Sequence, residues 1–102
     1  MFLRTASLCT LVVCAATSMA ATAVVKVFSF DFGANPPTHS DPIIELNDTV
    51  SWLFVGGFHT TTSAAGQSET WNSGFKSTGN FDHTFTHLGS FSYFCSLHGM
   101  IS

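Results

Sequence analysis

Short runs in which every second residue is apolar or aromatic dominate this chain, and no stretch carries apolar residues at helical spacing. Gly89 to Cys95 (GSFSYFC) is the clearest run, with Phe91, Tyr93 and Cys95 on one face and Phe94 on the other. Phe81 to Phe85 (FDHTF) alternates in the same way, and His87-Leu88-Gly89 supplies a turn between the two. Ala23 to Phe32 (AVVKVFSFDF) is rich in β-branched and aromatic residues and predicts a strand, closed off by Gly33-Ala34-Asn35-Pro36-Pro37. Ile43 to Leu46 predicts a short strand and Asn47-Asp48 a turn. Thr49 to Val55 (TVSWLFV) predicts a strand buried on both faces, broken by Gly56-Gly57. From Ser63 to Gly79 the polar composition predicts loops and short extended pieces, anchored by Trp71 and Phe75. Several short strands with turn signals between them indicate an all-β sandwich or barrel.

The chain is long enough for one domain: 102 residues, 14% aromatic and 9% charged. That balance excludes a disordered chain and a coiled coil. Three basic residues against six acids leave no positive stripe for phosphates, so nucleic acid is not an expected partner. Asp31, Asp41 and Asp82 stand far apart and form no acid pair, so hydrolytic chemistry has no support.

The first twenty residues read as a leader. MFLRTASLCTLVVCAATSMA has an early Arg4, an apolar run from Ala6 to Ala16, and small residues at Ser18 and Ala20, the layout of a secretory signal peptide cut after Ala20 or after Ala23. A spanning helix needs about 20 consecutive apolar residues, and this run is shorter and interrupted, so export is expected rather than membrane insertion. Lipidation at Cys14 is disfavoured because Val13, not a small residue, precedes it. The expected organisation is therefore a signal peptide at 1–20 and a domain at 21–102, periplasmic or extracellular. Cys9 and Cys14 leave with the leader, and two lysines face six acids for a formal charge of −4.

Cys95 is then the sole cysteine of a chain bound for an oxidising compartment, where cysteines ordinarily pair. Immediately after it come Ser96-Leu97-His98-Gly99-Met100, and His59 lies upstream behind the Thr49 to Val55 strand. A sandwich can fold that loop back beside the end of the Cys95 strand. Two imidazoles, one thiolate and a weak axial thioether form the ligand set of a blue-copper electron-transfer site. Zinc favours four strong ligands, and Met is a poor one.

These residues resemble the cupredoxins, in particular the small plastocyanin-like and amicyanin-like proteins. The likeness rests on Asn47-Asp48-Thr49-Val50-Ser51-Trp52, His59-Thr60-Thr61-Thr62-Ser63, Trp71-Asn72-Ser73-Gly74 and the run from Gly89 to Met100. It implies a Greek-key β-sandwich holding one mononuclear copper, Cu(II)/Cu(I), on His59, Cys95 and His98, with Met100 as axial ligand. It further implies a monomeric one-electron carrier that meets a redox donor and acceptor in transient complexes and is not an enzyme. Only Gly99 separates His98 from Met100, where the family has two or more residues, so an axial Met beyond residue 102 is an alternative. The family also continues with a glycine and a last strand. Ending at Ser102, this sequence is expected to be a fragment lacking that strand, since a missing inner strand would bare ladder groups on its neighbours.

Thr60 and Ser96, each following a ligand, are candidates to lock the two ligand loops by hydrogen bonds. His39, His83 and His87 fall outside the motif and read as surface or turn residues. Phe28, Phe30, Trp52, Phe81, Phe85, Phe91 and Tyr93 read as core. Copper delivery without a redox partner, or a structural sandwich with a merely buried Cys95, are the competing functions. A copper oxidase would need His-x-His pairs, and the sequence has none.

Overall fold

A computed structural model describes residues 9–15, 19–28, 31–33 and 40–96. Among them every regular element is a strand: β1 (Cys9–Cys14), β2 (Thr22–Phe28), β3 (Asp31–Gly33), β4 (Ile43–Glu45), β5 (Thr49–Phe54), β6 (Thr62–Ser63), β7 (Asn80–Thr84) and β8 (Gly89–Phe94). They form two mixed four-stranded sheets, ordered β4-β1-β8-β6 and β3-β2-β5-β7. Only β2 and β3 are consecutive strands in one sheet, so every other connection passes from one sheet to the other. Two pairings are parallel, β1 with β4 and β2 with β5, and the others are antiparallel. This all-β, two-sheet arrangement is consistent with a β-sandwich.

The inward rows meet as the two-residue period requires. On β8, Phe91 and Tyr93 are buried while Ser90 is exposed. Tyr93 reaches across to the other sheet, where it meets Trp52 of β5 edge-on at 5.5 Å and Phe32 of β3 at 5.0 Å. Trp71 stacks on Trp52 at 5.4 Å and takes Phe85 edge-on at 5.2 Å. These offset and edge-on contacts suit the ring quadrupoles and add to the burial of large apolar surfaces. The predicted core residues Phe28, Trp52, Phe85, Phe91 and Tyr93 are buried, Phe81 packs against the core from a half-buried position, and Phe30 lies outside the described residues.

Two segments form strands that the alternation pattern does not mark. The run from Ala23 to Phe32 is not one strand: β3 folds back antiparallel on β2, pairing Val27 with Phe32 and Phe28 with Asp31. In a straight strand Val27 and Phe32 would point to opposite faces, whereas opposed across a hairpin both are buried. Second, residues of the expected leader form β1, between β4 and β8. Thr10 to Val13 alternate out and in, and Cys9, Leu11 and Val13 enter the core. The segment pairs with β8 from Cys9↔Tyr93 to Val13↔Gly89, and with β4 from Val12↔Ile43 to Cys14↔Glu45. Among the described residues no helix is long and apolar enough to cross a membrane.

The alternation of β1 is open to a direct test in the 102-residue chain. Leu11→Ala removes a fully buried side chain and should cost about 2–5 kcal/mol in urea denaturation. Thr10→Ala, one residue along and facing outward, should change stability by less than about 0.5 kcal/mol.

Candidate functional site

Strand β8 delivers Cys95 to the end of the sheet on the same inward row as Phe91 and Tyr93, and the thiol is buried. The segment after β5 turns back through Gly57 and brings His59 beside it. Gly57 has φ of 74°, and a Cβ there would lie 2.5 Å from His59 Nε2, so backbone conformation and contact with the ring both demand glycine. His59 and Lys76 exchange both backbone hydrogen bonds, at 2.9 and 2.8 Å, which fixes the loop against the chain beyond Phe75.

His59 is buried, and its Nδ1 lies 3.9 Å from Cys95 Sγ. The backbone N–H of Thr60 donates to the same sulfur at 3.4 Å. One metal ion bonded to a sulfur at about 2.3 Å and a nitrogen at about 2.0 Å, with a trigonal angle between them, puts those atoms about 3.7 Å apart. A soft sulfur and an imidazole nitrogen at this separation fit the copper donor set. His98 and Met100, the other two expected ligands, and His39 lie outside the described residues. Among the described residues no three or more His, Cys, Asp or Glu side chains form a metal-holding group. None of the three cysteines is in a disulfide.

The two loops are locked as Thr60 and Ser96 suggested. Ser96 N–H donates to Thr60 Oγ1 at 2.8 Å, and the two hydroxyl oxygens are 3.1 Å apart. Behind this clamp the Trp71-Asn72-Ser73-Gly74 stretch supplies a second tier. Thr61 N–H donates to Ser73 Oγ at 2.9 Å, Trp71 Nε1–H donates to Thr61 Oγ1 at 3.1 Å, and Ser73 N–H donates to Thr61 O at 3.0 Å. Thr60 and Thr61 are both buried, and these bonds satisfy polar groups that would otherwise be costly in the interior. On the far side of β8, where β6 is only two residues long, Gln67 takes the place of a strand. Its Oε1 accepts from Ser92 N–H at 2.6 Å and its Nε2–H donates to Ser92 O at 3.1 Å.

One polar centre escaped the sequence reading. Glu69, 5% exposed, accepts from the backbone N–H groups of Thr86 and His87 at 2.8 and 2.9 Å. Its Oε1 is 2.7 Å from His83 Nε2, and its Oε2 is 2.8 Å from His87 Nδ1. His87 is exposed as expected, but His83 lies against Trp71 and Phe85, with ring centroids 5.2 and 4.7 Å away. The segment from Ser63 to Gly79 looked like a loop, and nothing in its composition marked Glu69 as buried. The only sequence hint was its place as the sole acid between Asp48 and Asp82.

No family model, curated protein or solved structure matches the chain. The residues themselves therefore carry the functional reading.

Burial alone raises the Glu69 pKa, but hydrogen bonds from His83, His87 and Thr86, with the charge on His83, outweigh it and hold the carboxyl below its ordinary value of 4.5. A carboxyl whose folded pKa is depressed contributes its full stability above the unfolded pKa and loses it as pH falls through the folded one. Acidification below about pH 4.5 should therefore destabilise the wild type more steeply than Glu69→Gln. The variant should already be weaker at pH 7, by about 1–3 kcal/mol. Equal slopes of melting temperature against pH in the two proteins would exclude this role.

Proposed function

We propose that this chain is a cupredoxin-like type 1 copper protein, a one-electron carrier working in an exported compartment, periplasmic or extracellular. The observation that carries the reading is the buried convergence of Cys95 Sγ and His59 Nδ1 at 3.9 Å at the end of an all-β fold. Among the described strands the chain passes between the two sheets at every connection but one, which suits a Greek-key sandwich. His59, Cys95, His98 and Met100 would hold the metal. Copper, when bound, supplies the Cu(II)/Cu(I) couple.

The chain's own part is to hold its ligands still. Cys95 would bind as the thiolate, the form in which a cysteine ligates a metal. The Thr60 N–H, aimed at the sulfur at 3.4 Å, draws charge from it and so tunes the potential. The Thr60–Ser96 clamp ties the His59 loop to the Cys95 strand, which keeps reorganisation small when the charge changes. Next to His59 and Lys76 in sequence, Phe58 and Phe75 stack at 5.5 Å and are 53% and 55% exposed. Such an exposed apolar pair near the centre suits brief contact with redox donors and acceptors, whose interfaces are small. Copper delivery would use the same ligands, but a buried, doubly clamped pair favours retention over exchange, and so favours the carrier.

The reading is tested by refolding the chain with Cu(II) and recording its visible spectrum. An intense thiolate-to-copper band should appear at one copper per chain, disappear in Cys95→Ser, and weaken or shift in His59→Gly. A folded protein without the band, or a band that survives Cys95→Ser, is decisive against it and leaves a structural sandwich.

A further inference from the structure

The expected leader has two candidate cut sites, after Ala20 in the link between β1 and β2 and after Ala23 within β2, and the structure separates them. Residues 19–21 are exposed. Ala23 lies inside β2, which pairs Thr22 with Thr49 and Ala23 with Val50. Ala21 is held at both its backbone polar atoms. Its N–H donates to Asp48 Oδ1 at 2.7 Å, and its carbonyl accepts from Thr49 N–H at 2.9 Å. Asp48 is a buried carboxylate, 8% exposed, and its other oxygen accepts from Glu45 N–H at 2.9 Å.

We propose that the Ala20–Ala21 bond is the processing site and that the new α-ammonium of Ala21 docks on the Asp48 carboxylate. Hydrolysis by a leader peptidase adds the oxygen of water to the Ala20 carbonyl carbon, which departs as a carboxylate with the leader, and protonates the Ala21 nitrogen. That nitrogen already sits 2.7 Å from Asp48 Oδ1. The cut therefore turns a neutral N–H donor into a charged one without moving it, and charge-assisted bonds are roughly twice as strong as neutral ones. A cut after Ala23 would instead remove two pairs of the β2–β5 ladder and both bonds of Ala21. It would leave Asp48 Oδ1 short of its donor in a buried position, which is unfavourable. Both Asp48 oxygens are held by residues 21 and 45, outside residues 1–20, so neither donor leaves with the leader. The inference rests on the leader reading of residues 1–20 and is independent of copper.

The test begins by expressing the full chain in an exporting bacterial host and sequencing the N-terminus of the exported product. Ala21 should be the first residue; a product that starts at Val24, or that keeps residues 1–20, overturns the proposal. The second measurement is the rate at which the product's α-amine is acylated near pH 7. An ammonium paired with a buried carboxylate has its pKa raised above the ordinary value of about 7.7–8.0, and one unit lowers the reactive fraction tenfold. Acylation should be at least tenfold slower than in Asp48→Asn. If that variant does not fold, the reference is a product carrying one extra glycine before Ala21, whose amine is displaced from the seat. An amine that reacts as fast in the product as in the reference overturns the docking.

Discussion

The candidate metal site depends on the period-two geometry of β8. Because successive side chains alternate across the sheet, a strand that buries Phe91 and Tyr93 must also carry Cys95 inward, and the thiol cannot be turned to solvent without turning both rings out. Tyr93 sits between Phe32 and Trp52, so the register of β8 is fixed by packing against the opposite sheet. Burial pushes the Tyr93 hydroxyl pKa well up, and the neighbouring Cys9 adds to the effect, which keeps this central side chain uncharged. A neutral aromatic core then ends in one soft donor, and the position of that donor follows from the core.

Hydrogen bonding rather than apolar packing decides what stands opposite the thiol. The loop that carries His59 is short of large apolar side chains on its buried part, Thr60 and Thr61, yet both are within the interior. Their hydroxyls and amides are met by Ser96 and by Ser73 and Trp71, which belong to two other parts of the chain. A buried polar network is stabilising only when its members find partners, and such a network specifies one arrangement more sharply than apolar contact does. Two separate constraints therefore converge on the His59–Cys95 pair, an aromatic register from below and a polar clamp from beside it.

Alternation and turn residues made β4, β5, β7 and β8 legible in the sequence to within one residue at their ends, because each runs straight between clear breakers. The β2–β3 hairpin was hidden because its apolar residues continue through the bend, and β6 because two residues carry no period at all. The approach of His59 to Cys95 follows from the loop return that their spacing suggests, and the Thr60–Ser96 contact from their places beside that pair. Glu69 was not legible, since burial of an acid is set by partners remote in sequence, here His83, Thr86 and His87. Local pattern shows which face a residue occupies. It does not show which polar groups a loop will find there.

The same limit explains how one segment can read as a leader and fold as a strand. Export favours a short apolar run, and Leu11-Val12-Val13 is one; β-branched residues in such a run equally suit a pleated sheet. Position β1 lies between β4 and β8, so whatever fills it must run parallel to one and antiparallel to the other, with apolar residues inward at alternate places. Cys9, Leu11 and Val13 meet those conditions. The ladder groups of β8 and the apolar row behind them need such a partner. Two interior neighbours and one register specify the pattern of this strand more closely than the segment's own sequence does.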